Sequence, residues 1–255
     1  MNPSNNRFIV QNGKRYYCKM DKFSRKVELI VERLAKLVDI NCAHYEYTNY
    51  EGFNYYLSED LSSLGDFVTG FDIGLELEEI YLYNIWDFFE CYYPKFSVKL
   101  MQQYIRAYLF GFFVLNSDFH CGNWDILMDD NLDRNLYIFD NELSFDNTSH
   151  HYITCEFYEG KPEYHHELKA SAIQENMKNL SLFIEVSDED SVQEIVKMYE
   201  LLTPEVFNSV LNDVEKHYGL KSSRRLEYYD LYVKNYEAIG TVLKKYNLVD
   251  CLVLK

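Results

Sequence analysis

The stretch from about residue 97 to Asp140 limits most sharply what this chain can fold into. Val98, Met101, Ile105, Tyr108, Leu109 and Phe112 recur at helical spacing, so residues 97 to 115 read as one deeply buried helix. The helix runs straight into Asn116-Ser117-Asp118-Phe119-His120-Cys121-Gly122-Asn123, which is polar and has no helical period. Two short apolar runs follow, 126 to 128 and 137 to 139, around the polar stretch 129 to 135, and these predict a β-hairpin. Closing that hairpin brings Asn123 on one flank toward Asp140 on the other. A carboxylate and an amide then meet at the mouth of a hairpin fed by a buried helix, with Asp118 five residues before Asn123. Hard oxygen donors of this kind suit Mg²⁺, which takes one or two protein ligands and completes its shell with phosphate and water. Asp118 remains available as a base.

Upstream, Arg7 to Val10 and Arg15 to Lys19 flank Gln11-Asn12-Gly13-Lys14, a strong hairpin signal. Val27, Ile30, Val31, Leu34, Leu37 and Val38 predict an amphipathic helix with Ser24 as N-cap, and Glu28 lies beside its buried stripe. Residues 45 to 47 and 53 to 57 predict a second hairpin turning at Gly52, with the polar exit Ser58-Glu59-Asp60. Beyond residue 60 the chain reads as helical apart from the 126 to 139 hairpin and an irregular stretch from 141 to about 164. Helix starts are signalled at Asp190/Ser191, Thr203-Pro204-Glu205 and Ser222/Ser223. Only 10 Gly and 4 Pro fit a chain dominated by helices.

The formal charge of -16, from 41 acidic and 25 basic residues, excludes a polyanion-binding surface and so argues against nucleic acid and anionic membrane as partners. The six cysteines form no CxxC pair and read as reduced thiols of a cytoplasmic protein. With the longest apolar run only eight residues, Tyr108 to Leu115, no membrane span or signal peptide is expected. The pairs His150-His151 and His165-His166 have no third ligand at zinc spacing and read as surface histidines.

Asp118-x-His120-x-x-Asn123, followed by Asp140 at the close of a strand, resembles the catalytic and metal loops of protein-kinase-like phosphotransferases. The nearer resemblance is to the HipA-like bacterial serine/threonine kinases, including the small CtkA-type members. There an apolar helix likewise ends in Asn-x-Asp-x-His, and the metal Asp opens a run similar to Asp140-Asn141-Glu142-Leu143-Ser144. Tyr16-Tyr17-Cys18-Lys19 is similar to the strand bearing the ATP-phosphate lysine, and residues 27 to 37 resemble the helix whose glutamate pairs with it.

The resemblance implies Asp118 as catalytic base, Asn123 and Asp140 as catalytic Mg²⁺ ligands, Lys19 on the ATP phosphates and Glu28 as its partner. It also implies His120 as a brace of the catalytic loop, and Glu59, in the polar exit of the second hairpin, joins the residues on the nucleotide side. The expected architecture is α+β and two-lobed: a sheet-rich lobe over residues 1 to 60 and a mostly helical lobe over 61 to 255, with ATP between them. The implied activity is ATP- and Mg²⁺-dependent transfer to a Ser or Thr of a protein, with autophosphorylation and an antitoxin-like regulatory partner. Two features depart from the family pattern: residues 1 to 6 hold no glycine, leaving Ser4-Asn5-Asn6 to face the phosphates, and Glu142 stands where many kinases have Gly. An aminoglycoside-type small-molecule kinase and a nucleotide-binding pseudokinase remain the alternatives.

Overall fold

The computed structural model describes residues 7–11, 13–20, 26–50, 52–63, 65–70, 98–116, 119, 122–128, 134–141, 144–145, 152–158, 161–166 and 172–249. The chain opens with β1 (Arg7–Gln11) and β2 (Lys14–Met20), antiparallel with Gln11 opposite Lys14 and Gly13 at φ 78° in the turn. Helix α1 (Val27–Leu37) follows, then β3 (Tyr45–Tyr50) and β4 (Phe53–Glu59), joined through Gly52 at φ 81°. The four strands form one antiparallel sheet in the order β1-β2-β4-β3. Both hairpins stand where the turn residues predict them. The cap of α1 is Lys26, at φ 58° and with no side-chain capping bond, and the expected cap Ser24 lies outside the described residues.

After a 3₁₀ turn at Leu61–Ser63 comes a strand that the sequence pattern does not reveal, β5 (Asp66–Thr69). It joins β6 (Trp124–Met128) and β7 (Arg134–Ile138) in a second antiparallel sheet. Gly65 permits that junction, because a Cβ there would sit 2.3 Å from the Met128 carbonyl oxygen, inside any allowed contact. The predicted hairpin therefore exists and carries one more strand. The two sheets are also stitched by backbone: Ala43 N–H donates to the Ile138 carbonyl at 2.9 Å, and Ile138 N–H to that of Asn41 at 3.0 Å.

Helix α2 (Val98–Val114) is the predicted buried helix, with Leu109, Phe110, Phe113 and Val114 at 0–1% exposure. Val98 departs from the expected stripe, since the first turn of α2 leaves it 71% exposed. The stretch from 141 to 164 is not wholly irregular: β8 (Tyr152–Tyr158) and β9 (Lys161–His166) pair antiparallel, as their aromatic and β-branched content favours. Residues 71 to 97, within the stretch that reads as helical, lie outside the described residues.

Four helices complete the fold: α3 (Ala172–Val186), α4 (Glu189–Leu201), α5 (Pro204–Tyr218) and α6 (Ser222–Lys245). The signal at 190/191 is displaced by two residues, since Asp188 caps α4 by accepting from Ser191 N–H at 2.8 Å. Thr203 caps α5 with Pro204 at its first position, as expected. Ser222 opens α6, although Lys221 occupies the cap. The core is aromatic, with Phe207 stacked on Tyr232 at 3.9 Å and Tyr199 on Tyr236 at 4.2 Å. Asn235 of α6, 1% exposed, donates to the Phe112 and Phe113 carbonyls at 2.7 and 3.2 Å, satisfying acceptors that the end of α2 leaves open. The architecture is thus α+β, a small antiparallel sheet-rich region beside a larger helical one. Among the described residues, no helix is long and apolar enough to cross a membrane.

Candidate functional site

The register of β2 against β4 sets Lys19 opposite Tyr56 and turns its side chain toward the end of β7. There its Nζ meets Asp140 Oδ1 at 2.5 Å, with Lys19 18% and Asp140 46% exposed. Glu28, in the first turn of α1, is 1% exposed and accepts the Asn141 N–H at 3.0 Å. Burial pushes its carboxyl up to about 8, and the neighbouring Asp140 charge adds to the rise. Lys19, the Asn141 amide and the Tyr45 hydroxyl act in the opposite direction. Lys19 and Glu28 therefore share one electrostatic site with Asp140, more than a hundred residues further along the chain.

Asp140 has φ 54°, a left-handed conformation that Asp tolerates better than most residues. Its N–H donates to the Tyr45 hydroxyl at 3.2 Å. Asn141, buried to 2%, accepts from Asn116 Nδ2 at 3.1 Å, and Phe145 N–H donates to the Val114 carbonyl at 2.8 Å. The segment after β7 is thus fastened to the C-terminal end of α2 on one side and to α1 and β3 on the other.

Asn123 is 5% exposed, and its carbonyl accepts the Phe139 N–H at 3.0 Å, so the hairpin sets it across from the residue preceding Asp140. Phe119 packs against Tyr104 and Tyr108 of α2, with centroids at 5.7 and 6.3 Å. Asp118, His120, Glu142 and the stretch Ser4-Asn5-Asn6 lie outside the described residues. Ser144 is 2% exposed.

A cavity of about 320 Å³ opens at this site, within the range of small-molecule pockets. Lys19, Glu28 and Asp140 form one part of its lining, and Phe8, Tyr17, Phe67 and Phe139 supply aromatic surface. Phe8 and Tyr17 meet edge to face at 5.5 Å, and the Arg15 guanidinium lies 3.8 Å from the Phe8 centroid. Glu59 also lines the cavity, but its carboxylate pairs with Lys14 Nζ at 2.8 Å, while the adjoining Asp60 pairs with Arg15 at 3.1 Å. Both acids tie the end of β4 to the start of β2. On β6 it is Asp125, two residues after Asn123, that reaches the cavity among the described residues.

Sequence pattern does not point to Tyr45, Asp125 or the aromatic lining. Phe139 alone carries a local signal, as the apolar residue directly before Asp140. Tyr45 and Asp125 owe their positions to strand register and to contacts between residues distant in the chain.

The donors suit a phosphate-bearing ligand with a hard cation. Lys19 is a half-buried cation at the cavity wall, and Asp140 is a carboxylate already drawing positive charge. Among the described residues, no three His, Cys, Asp or Glu side chains gather into a metal cage. A Mg²⁺ site needs none, because one or two protein oxygens suffice when phosphate and water complete the shell.

Comparison of the sequence with protein-family models and with curated proteins gives no match. Solved structures do match. The chain superposes on the Helicobacter pylori proinflammatory kinase CtkA with a TM-score of 0.66 and 12% identity, over 94% of both chains. It superposes on HipA of Shewanella oneidensis MR-1, solved with HipB and operator DNA, with a TM-score of 0.62 and 14% identity. That match covers 94% of this chain and 65% of the HipA-complex chain. The fold is therefore the HipA-like kinase fold, as the resemblance of residues 7 to 145 leads one to expect.

Proposed function

We propose that this chain is a cytoplasmic ATP- and Mg²⁺-dependent phosphotransferase acting on a Ser or Thr hydroxyl of a protein, its own chain included. The observation that carries this reading is the convergence of Lys19, Glu28 and Asp140 on one aromatic-lined cavity within a HipA-like kinase fold. The adenine ring would lie against Phe8, Tyr17, Phe67 and Phe139, whose faces suit a flat heterocycle. Lys19 would bind the phosphates, and Asn123 and Asp140 would hold the ion. Bound Mg²⁺ supplies neutralisation of the charge that develops on the transferring phosphoryl group. Asp118 would accept the proton of the attacking hydroxyl while the acceptor oxygen–phosphorus bond forms and the bond to the ADP oxygen breaks. Phosphoryl transfer asks a protein mainly for such positioning and charge placement.

The HipA neighbour was solved with HipB and operator DNA, which supports an antitoxin-like protein partner here as well. A net charge of -16 opposes direct contact of this chain with DNA. Incubation with γ-labelled ATP and Mg²⁺ tests the assignment. Wild type should become labelled or label a protein acceptor, and Asp118→Ala and Asp140→Ala should each lose about a hundredfold or more of the rate. Equal labelling of all three would reject it. A second reading, nucleotide binding without turnover, is favoured by the Lys19–Asp140 pair, which occupies the metal carboxylate. Bound nucleotide with no transfer under any divalent metal would select that reading.

A further inference from the structure

We propose that Tyr45 is a positioning residue for the Asp140 carboxylate, acting through the Asp140 backbone amide; the assignment rests on the phosphotransferase reading above. Asp140 sits at φ 54°, a left-handed conformation that is costly for a non-glycine residue and is held where neighbours favour it. The Tyr45 hydroxyl imposes it from β3 by accepting the Asp140 N–H at 3.2 Å. One residue on, the Asn141 N–H donates to Glu28, whose carboxyl also feels the Tyr45 hydroxyl. Tyr45 thus stands at the junction of the two restraints that fix the backbone carrying Asp140.

Tyr45 is itself held rigidly. It is 5% exposed, its ring meets Tyr56 edge to face at 6.3 Å, and its own N–H donates to the buried Glu32 carboxylate at 3.2 Å. A hydroxyl anchored in this way sets the direction in which the Asp140 side chain leaves the backbone. Without it, a part-buried amide loses its acceptor, and residue 140 is free to leave the left-handed region. The carboxylate then faces the cavity for a smaller fraction of the time, and the ion must supply the ordering on binding.

The experiment compares wild type, Tyr45→Phe and Tyr232→Phe. The control also loses a buried tyrosine hydroxyl bonded to backbone, at 2.6 Å to the Leu202 carbonyl, but in the helical core away from the cavity. Phosphoryl transfer is titrated with Mg²⁺, ATP binding is measured without metal, and amide exchange at Asp140 is followed in the metal-free protein. Tyr45→Phe should raise the Mg²⁺ concentration at half-maximal rate about tenfold and speed Asp140 exchange about tenfold, with metal-free ATP binding unchanged. Tyr232→Phe should lower thermal stability and leave the Mg²⁺ midpoint and Asp140 exchange at wild-type values. Wild-type values for both readouts in folded Tyr45→Phe, or equal shifts in both variants, would overturn the assignment. The exchange measurement decides even where a variant turns over too slowly to titrate. Should wild type neither bind nucleotide nor transfer phosphate, the phosphotransferase reading fails, and the assignment falls with it.

Discussion

Lys19 illustrates how one side chain serves two opposed demands. Its ammonium lies 2.5 Å from Asp140, so in the proposed function lysine and a divalent cation would compete for the same carboxylate. On the proposed function, nucleotide phosphates would offer Lys19 a stronger partner and release Asp140 to the metal. Lys19→Met should therefore move two affinities in opposite directions. Binding of Mg²⁺ or Mn²⁺ in the absence of nucleotide should tighten about threefold, the scale of a partly exposed ion pair. Binding of Mg²⁺–ATP should weaken about tenfold or more, the scale of a charged hydrogen bond. Titration calorimetry of both ligands checks this, and parallel changes of sign would contradict the competition. At this scale the sequence is legible where a residue type sits in an ordered set. Lys19, Glu28 and Asp140 stand out in that way, whereas Tyr45 is only a residue in a predicted strand. Its role comes from a hydroxyl meeting an amide 95 residues away, which no local pattern encodes.

Helix α1 joins the site to the rest of the molecule, since the element that carries Glu28 also packs on α5. Arg33 Nε of α1 meets Asp213 Oδ2 of α5 at 2.7 Å, and the Arg33 guanidinium lies 5.0 Å from the Tyr218 centroid. The hydrogen bond from Arg33 holds the Asp213 carboxyl below its ordinary 3.8, with His217 adding to the shift. A lowered folded value means that the pair's contribution is present above the unfolded value and is lost as pH falls through the folded one. Asp213→Asn should therefore lower stability by about 0.5–1 kcal/mol at pH 7, given that Asp213 is 42% exposed. The gap should hold down to about pH 4 and close below it, which thermal unfolding from pH 7 to 2.5 can follow. A gap that widens in acid would contradict the pairing. Elements fixed by local chemistry are readable in the sequence: the two hairpins through Gly13 and Gly52, α2 through its apolar stripe and α5 through Thr203-Pro204. β5 is not, because a four-residue strand carries little periodicity and its pairing with β6 spans about sixty residues. The β8–β9 hairpin escapes notice because hydroxyl and charged residues interrupt its aromatic runs.

Across the whole molecule, net charge governs how stability responds to salt. Ion pairs such as Arg33–Asp213, Lys14–Glu59 and Arg15–Asp60 are each partly exposed, and salt weakens each by a few tenths of a kcal/mol at most. Against them stands the mutual repulsion of a chain with 41 acidic and 25 basic residues, which acts between many pairs at once and over longer distances. Raising NaCl from 10 to 300 mM shortens the screening length from about 30 Å to about 6 Å, so the long-range repulsion is removed before the contact pairs are. The two effects have opposite signs, and repulsion has the larger number of partners. Unfolding free energy should thus rise, by about 1 kcal/mol, over that range of salt. Denaturant melts at fixed pH in NaCl check this, and stability that falls with salt would show that the local pairs dominate. The same field acts on ligands: ATP without metal should bind more tightly as salt rises, because screening relieves its repulsion from the chain. A basic peptide acceptor should bind more weakly as salt rises. Opposite salt slopes for nucleotide and acceptor on one protein would place the acidic surface in acceptor selection, outside the nucleotide cavity.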